Sequence, residues 1–277
     1  MGAAAVTTTA STPGATVPSA PVAAVALRIA VGEARRIATG PLVLAGAGLY
    51  CAMVTVASGQ GPGSGYDGLL TGPTFFIGVF TYFAAHLAAS RPRRDGCQDE
   101  HTSMPAPAVA RTAGLCLAAF GPALLSVALM GLISAWYAAG RLDLPVWPSA
   151  GELAAGPLTV VGGALLGVLV ARWLPFPTAP VLVMVAVVAT TLALNEGWSG
   201  RYALLSPYAT FSVFVPDGSW GGHTAGSPAW HAVYLAALCG MAAAGAVLRD
   251  ARRPAVPFVA GVASFLVAVV AGAAQLP

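Results

Sequence analysis

Residues 155–174 read AGPLTVVGGALLGVLVARWL, a run whose one charge, Arg172, stands close to its end. As a helix this run is long enough to cross a hydrocarbon layer of about 30 Å, and its composition makes lipid its solvent. Six further runs of the same kind lie outward from it, at 41–57, 73–89, 113–137, 179–195, 229–248 and 255–275. Pro175, Pro177 and Pro180 leave so little chain between 155–174 and 179–195 that these two also fit one broken hairpin. The expected fold is all-α, a polytopic transmembrane helix bundle of six or seven spans with an amphipathic interfacial helix before the first.

Composition points the same way. Only 8% of residues are charged, against about 25% in a soluble domain, and 57% are hydrophobic, which excludes a water-soluble enzyme. All 13 basic residues are arginine. Without a lysine the chain holds no Walker A phosphate loop and forms no retinal or pyridoxal Schiff base. Cys51, Cys97, Cys116 and Cys239 have neither CxxC nor metal-ligand spacing and read as small apolar side chains.

The chain divides into a tail, 1–24, an amphipathic helix, 25–39, and a transmembrane domain, 40–277. The tail is rich in Ala, Thr, Pro and Ser and is expected to be disordered and cytoplasmic, not a signal peptide. In the helix, Leu27, Ala30, Val31, Ala34, Ile37 and Ala38 follow one helical face, with Arg28, Glu33, Arg35 and Arg36 opposite. Such a helix lies on a membrane surface with its arginines at the lipid phosphates. Gly40 and Pro41 break it from the first span. With the amino terminus inside, only Arg141 and Arg201 fall on the far side, so the arginine asymmetry fixes the orientation in a plasma membrane.

The spans hold no carboxylate, and Arg172 is the one charge inside an expected span. Ion-driven transporters and proton pumps place titrating groups at membrane depth, so both are disfavoured. His86 and His231 fall near opposite faces and suit packing or a local hydrogen bond better than paired haem ligation. Ser126, Ser134 and Ser264 lack a nucleophile's setting, which leaves an intramembrane enzyme the weakest reading. Gly46, Gly48, Gly162, Gly163, Gly167 and Gly240 allow helices to approach closely.

The connector 90–112 after the second span is the informative stretch. It carries Arg93-Arg94-Asp95-Gly96, then Gln98-Asp99-Glu100, then Met104-Pro105-Ala106-Pro107, with Arg111 ahead of the third span. That is a charged segment with a glycine turn, room for one or two helical turns, and a Pro-x-Pro stop. With Glu33-Ala34-Arg35-Arg36 before the first span, this order resembles the permease subunits of type-two ABC exporters, especially the actinobacterial ones.

The resemblance implies that the connector is a coupling helix docking on a separate nucleotide-binding ATPase subunit. Arg93, Arg94, Asp95, Gln98, Asp99, Glu100 and Met104 would make that contact, supported by Glu33, Arg35 and Arg36. It also implies a second permease subunit, the same chain or a related one, in the lipid membrane. ATP and Mg would be bound only by the partner, with no cofactor, metal, catalytic residue or nucleic acid in this chain. The cargo would be a hydrophobic or amphipathic antibiotic, peptide, lipid or glycan. The stretch 196–228 places Trp198, Tyr202, Tyr208, Phe211 and Phe214 outside, as an outer gate or as an anchoring loop. A non-transporting scaffold or assembly subunit is the other class that fits.

Overall fold

The structure, a computed structural model, describes residues 21–96, 106–141, 147–196, 208 and 227–275. The chain from Val22 to Ala38 forms α1. Gly40 then turns the backbone, and Pro41, whose missing N–H has no partner to lose at a helix start, opens α2, Pro41–Gln60. Residues 22–24, expected in the tail, therefore belong to α1.

The second crossing begins well before residue 73. Pro62–Gly72 (α3) is helical and runs through a π turn, Pro73–Gly78, into α4, Val79–Arg94. Together they give a 32-residue apolar run, Gly63–Arg94. The π turn has a cause in Pro73: lacking an N–H, it cannot serve the carbonyl of Leu69 one turn earlier. Tyr50 of α2, fully buried, donates its hydroxyl to that carbonyl at 3.1 Å, with its ring against Gly72. Tyr50→Phe keeps the ring and removes the donor, and is expected to cost about 1–3 kcal/mol in thermal unfolding of the purified protein.

Ala108–Ala118 (α5) and Phe120–Trp136 (α6) make the third crossing, which starts five residues before the expected 113. Ala150–Trp173 is α7, Ala179–Glu196 is α8, Pro228–Leu248 is α9 and Ala255–Ala273 is α10. Among the described residues six helices are long and apolar enough to cross a membrane, and α8 adds a shorter apolar segment, Ala179–Thr191. The fold is an all-α polytopic bundle, and its broad apolar exterior is that of a multi-pass membrane protein. On α10, for instance, Val256, Phe258, Val259 and Leu266 are exposed.

Two helices form the centre. α4 and α7 run side by side in the same direction, so close at Gly163 and Gly167 that side chains there would strike the carbonyl oxygens of Gly78 and Tyr82. Gly46 brings α2 equally near the carbonyl of Phe76 in the π turn. Gly48, by contrast, meets no neighbour. α9 lies along the other side of α7, with Gly151 against the backbone at Pro228 and Ala229, and α10 returns beside α9.

Arg172 is not the only charge within a crossing. Asp67, Arg111 and Glu152 also lie in the helices, each in the opening turns of its run. The helical starts are earlier than hydropathy alone places them, so hydropathy assigns these residues to loops.

Candidate functional site

The arginines gather where α1 and α4 end and α5 begins, and their contacts clip five helices together. Glu33 of α1 accepts from Arg91 of α4 at 3.4 Å and lies 3.9 Å from Arg36. Arg93 donates to the carbonyl of Ala171 at 3.0 Å, reaching the open last turn of α7, where a cation is favoured. Arg172 of α7 pairs with Asp250, just past α9, at 3.6 Å, and Thr112 of α5 donates its hydroxyl to the same carboxylate. Trp173 donates to the Gly245 carbonyl at 2.9 Å, while the Arg249 guanidinium stacks over its ring at 5.5 Å.

The connector leaves and enters this end at fixed points. Gly96, at φ 70°, closes α4 in the left-handed conformation that glycine adopts without strain. Asp95 caps the same turn through its backbone N–H to the Arg91 carbonyl. On the far side Arg111 holds the Ala106 carbonyl at 3.0 Å, next to Pro107, which opens α5. Of the expected docking residues, Arg93, Arg94 and Asp95 are exposed, Arg93 with its guanidinium on the Ala171 carbonyl, and Gln98, Asp99, Glu100 and Met104 lie outside the described residues.

α1, expected as an interfacial helix, packs against the bundle along one side. It lies along α5 and the start of α6, with Ala26, Ala30 and Ile37 buried and Gly114 and Gly121 at the closest backbone approaches. Leu27 and Val31, on the apolar face of the expected interfacial helix, are exposed, while Glu33, expected on the charged face, turns inward to Arg91. Arg35 and Arg36 remain exposed in the last turn.

Midway along α7 a cavity of about 440 Å³ opens between α4, α7, α8 and α9, within the range of small-molecule sites. Its walls include Gly162, Leu166, Met184, Leu235, Cys239 and Met241. The polar point is a hydroxyl pair, Thr74 and Thr159, 2.8 Å apart. α8 flanks the cavity with Met184 and Val187 and is fastened at its base, where Tyr82 donates to the Pro180 carbonyl at 2.8 Å. Such a space can hold an apolar molecule and offers it one or two hydrogen bonds.

At the opposite end, buried Glu152, His231 and Gln275 are paired, and partly buried tyrosines hydrogen-bond to the bundle. Tyr66 donates to Glu152 at 2.7 Å, and Glu152 and Ser149 form a reciprocal capping box that starts α7. His231, fully buried, pairs with Gln275 at 2.9 Å. Tyr208 donates to the Val269 carbonyl at 3.0 Å and packs edge-on to Tyr234 at 6.2 Å. It is the one expected gate residue placed in the bundle; Trp198, Tyr202, Phe211 and Phe214 lie outside the described residues. His86 sits buried in α4 toward the arginine end, where its Nδ1 has no hydrogen-bond partner among the described residues.

No protein family, curated protein or solved structure matches this chain. The geometry therefore stands on its own. Among the described residues no three His, Cys, Asp or Glu side chains come together as a metal site. The sequence reading missed the cavity and Glu152. The spacing Ser149-x-x-Glu152 was a usable sign of the latter, because a capping box fixes a helix start at that point.

Proposed function

We propose that this chain is the membrane subunit of an ATP-driven exporter of the type-two ABC kind, moving a hydrophobic or amphipathic molecule outward. The arginine-bearing end faces the cytoplasm of a plasma-membrane protein, in keeping with the retention of short basic loops on that side. A separate subunit binds and hydrolyses Mg-ATP, and this chain contributes no hydrolytic step. A second permease subunit completes the pathway.

The observation that carries this reading is the fastening of the connector's base. Arg91 ties it to α1 and Arg93 ties it to α7, while Thr112, one turn into α5, reaches the carboxylate that holds α7 to α9. A push on residues 97–105 reaches α1, α4, α5 and α7 together, and α4 and α7 wall the cavity. The cavity's apolar lining suits an apolar cargo, and among the described residues the middle turns of the helices carry no ion-binding carboxylate that would couple transport to a gradient.

Co-expression with the nucleotide-binding protein encoded nearest to it tests the reading. The two are expected to purify together, and Glu100→Arg is expected to abolish cargo-stimulated ATP hydrolysis without releasing the chain from the membrane. Hydrolysis that stays coupled in that variant removes the connector from the mechanism. A scaffold subunit is the second reading, favoured by the largely exposed apolar length of α10, which suits a partner helix as well as lipid. Transport by reconstituted vesicles separates the two.

A further inference from the structure

Outside the cavity and the connector, the elbow between α1 and α2 forms a second concave site. A groove of about 260 Å³ runs between this elbow and α4. Its rim carries three guanidinium groups, Arg36 from α1 and Arg91 and Arg94 from α4, and its floor is apolar, with Leu42, Ala84 and Leu87. Glu33 is the carboxylate paired with this set, bridging Arg36 and Arg91. Among the described residues lining the groove there are three cations and no anion, which, with Glu33 beside them, leaves an excess of positive charge next to an apolar trough. Leu87 of this floor is exposed, as is Leu44 half a turn beyond Leu42 on α2, so the apolar surface continues from the groove onto the outside of the bundle.

We propose that this groove binds one anionic phospholipid, its headgroup phosphate on Arg36 and Arg94 and its acyl chain along Leu42 and Leu87. Guanidinium forks match phosphate oxygens, and basic pockets between membrane helices on the arginine-rich side take anionic headgroups. A free phosphate would satisfy the rim and leave the floor in water, so the apolar floor selects the lipid. A lipid held here bridges α1 to α4 beside the Glu33–Arg91 pair and sets the tilt of α1 against the connector's base. The site depends on the chain lying in a bilayer and not on what the chain transports.

Native mass spectrometry of the full chain, delipidated in neutral detergent and titrated with phosphatidylglycerol or phosphatidylcholine, tests this. One phosphatidylglycerol per chain is expected to survive, with phosphatidylcholine lost. Arg36→Gln and Arg94→Gln are each expected to weaken retention about fivefold, near the effect of one basic residue at an anionic surface. Ala84→Trp fills the floor and spares the arginines, and is expected to remove the lipid; Arg252→Gln with Arg253→Gln is expected to change nothing. Equal retention of both lipids overturns the proposal, as does undiminished phosphatidylglycerol binding in the Arg36→Gln, Arg94→Gln double variant. Displacement by millimolar inorganic phosphate overturns it in favour of a free-anion site. Arg36 and Arg94 are surface residues, so their variants report binding even where Ala84→Trp does not fold.

Discussion

Gly163→Leu is expected to yield almost no monodisperse protein, whereas Gly162→Leu, one residue away, is expected to fold and, under the proposed exporter function, to lose transport. The two glycines face different things. A Cβ on Gly163 would stand 2.6 Å from the carbonyl oxygen of Gly78, so even a methyl group must force α7 away from the π turn that leads into α4. Overpacking costs about 1–3 kcal/mol where side chains can give way, and here the obstacle is main chain, which places the cost at or above the top of that range. A Cβ on Gly162 meets only the Cys239 sulfur at 3.5 Å, ordinary contact, and the rest of a leucine side chain enters the cavity. Size-exclusion profiles in detergent check the first result and vesicle transport the second. A folded Gly163→Leu protein would mean that α4 and α7 do not meet as described.

Asp250→Ala is expected to destabilise the protein by about 3 kcal/mol. It strands the Arg172 guanidinium in the bundle and removes the acceptor of Thr112 in the same step. Breaking a buried ion pair from one side costs about 3–5 kcal/mol; with the two side chains 20% and 19% exposed, the lower end applies. Replacing both partners, Arg172→Met with Asp250→Leu, is expected to recover most of the loss, because no unpaired charge remains. Melting temperature measures the loss, and the labelling rate of the buried thiol of Cys116 gives a local reading of it. A double variant no more stable than Asp250→Ala would show that the pair does more than neutralise its own charges.

How much of this was legible in the sequence follows from which forces set each feature. Long apolar runs such as 155–174 declare themselves, because a helix in lipid must be apolar over its whole length, and the arginine bias is equally plain. The segment Pro62–Gly72 is the opposite case. Its glycines and Asp67 read as a loop, and it is helical because Leu69 and Leu70 are fully buried and Tyr50 completes the Leu69 carbonyl, contacts that outweigh poor local propensity. The inward turn of Glu33 has the same origin, since its partner Arg91 is 58 residues away. The cavity was invisible because it is made of gaps between α4, α7, α8 and α9, and its glycines look like those that only pack helices.

The direct test of the account is a photo-crosslinking amino acid placed at Met104 in living cells. The connector is predicted to give an adduct with a P-loop nucleotide-binding subunit, lost when Glu100 is replaced by arginine. Adducts with lipid or with this chain alone, or labelling of the connector from outside the cell, would contradict it.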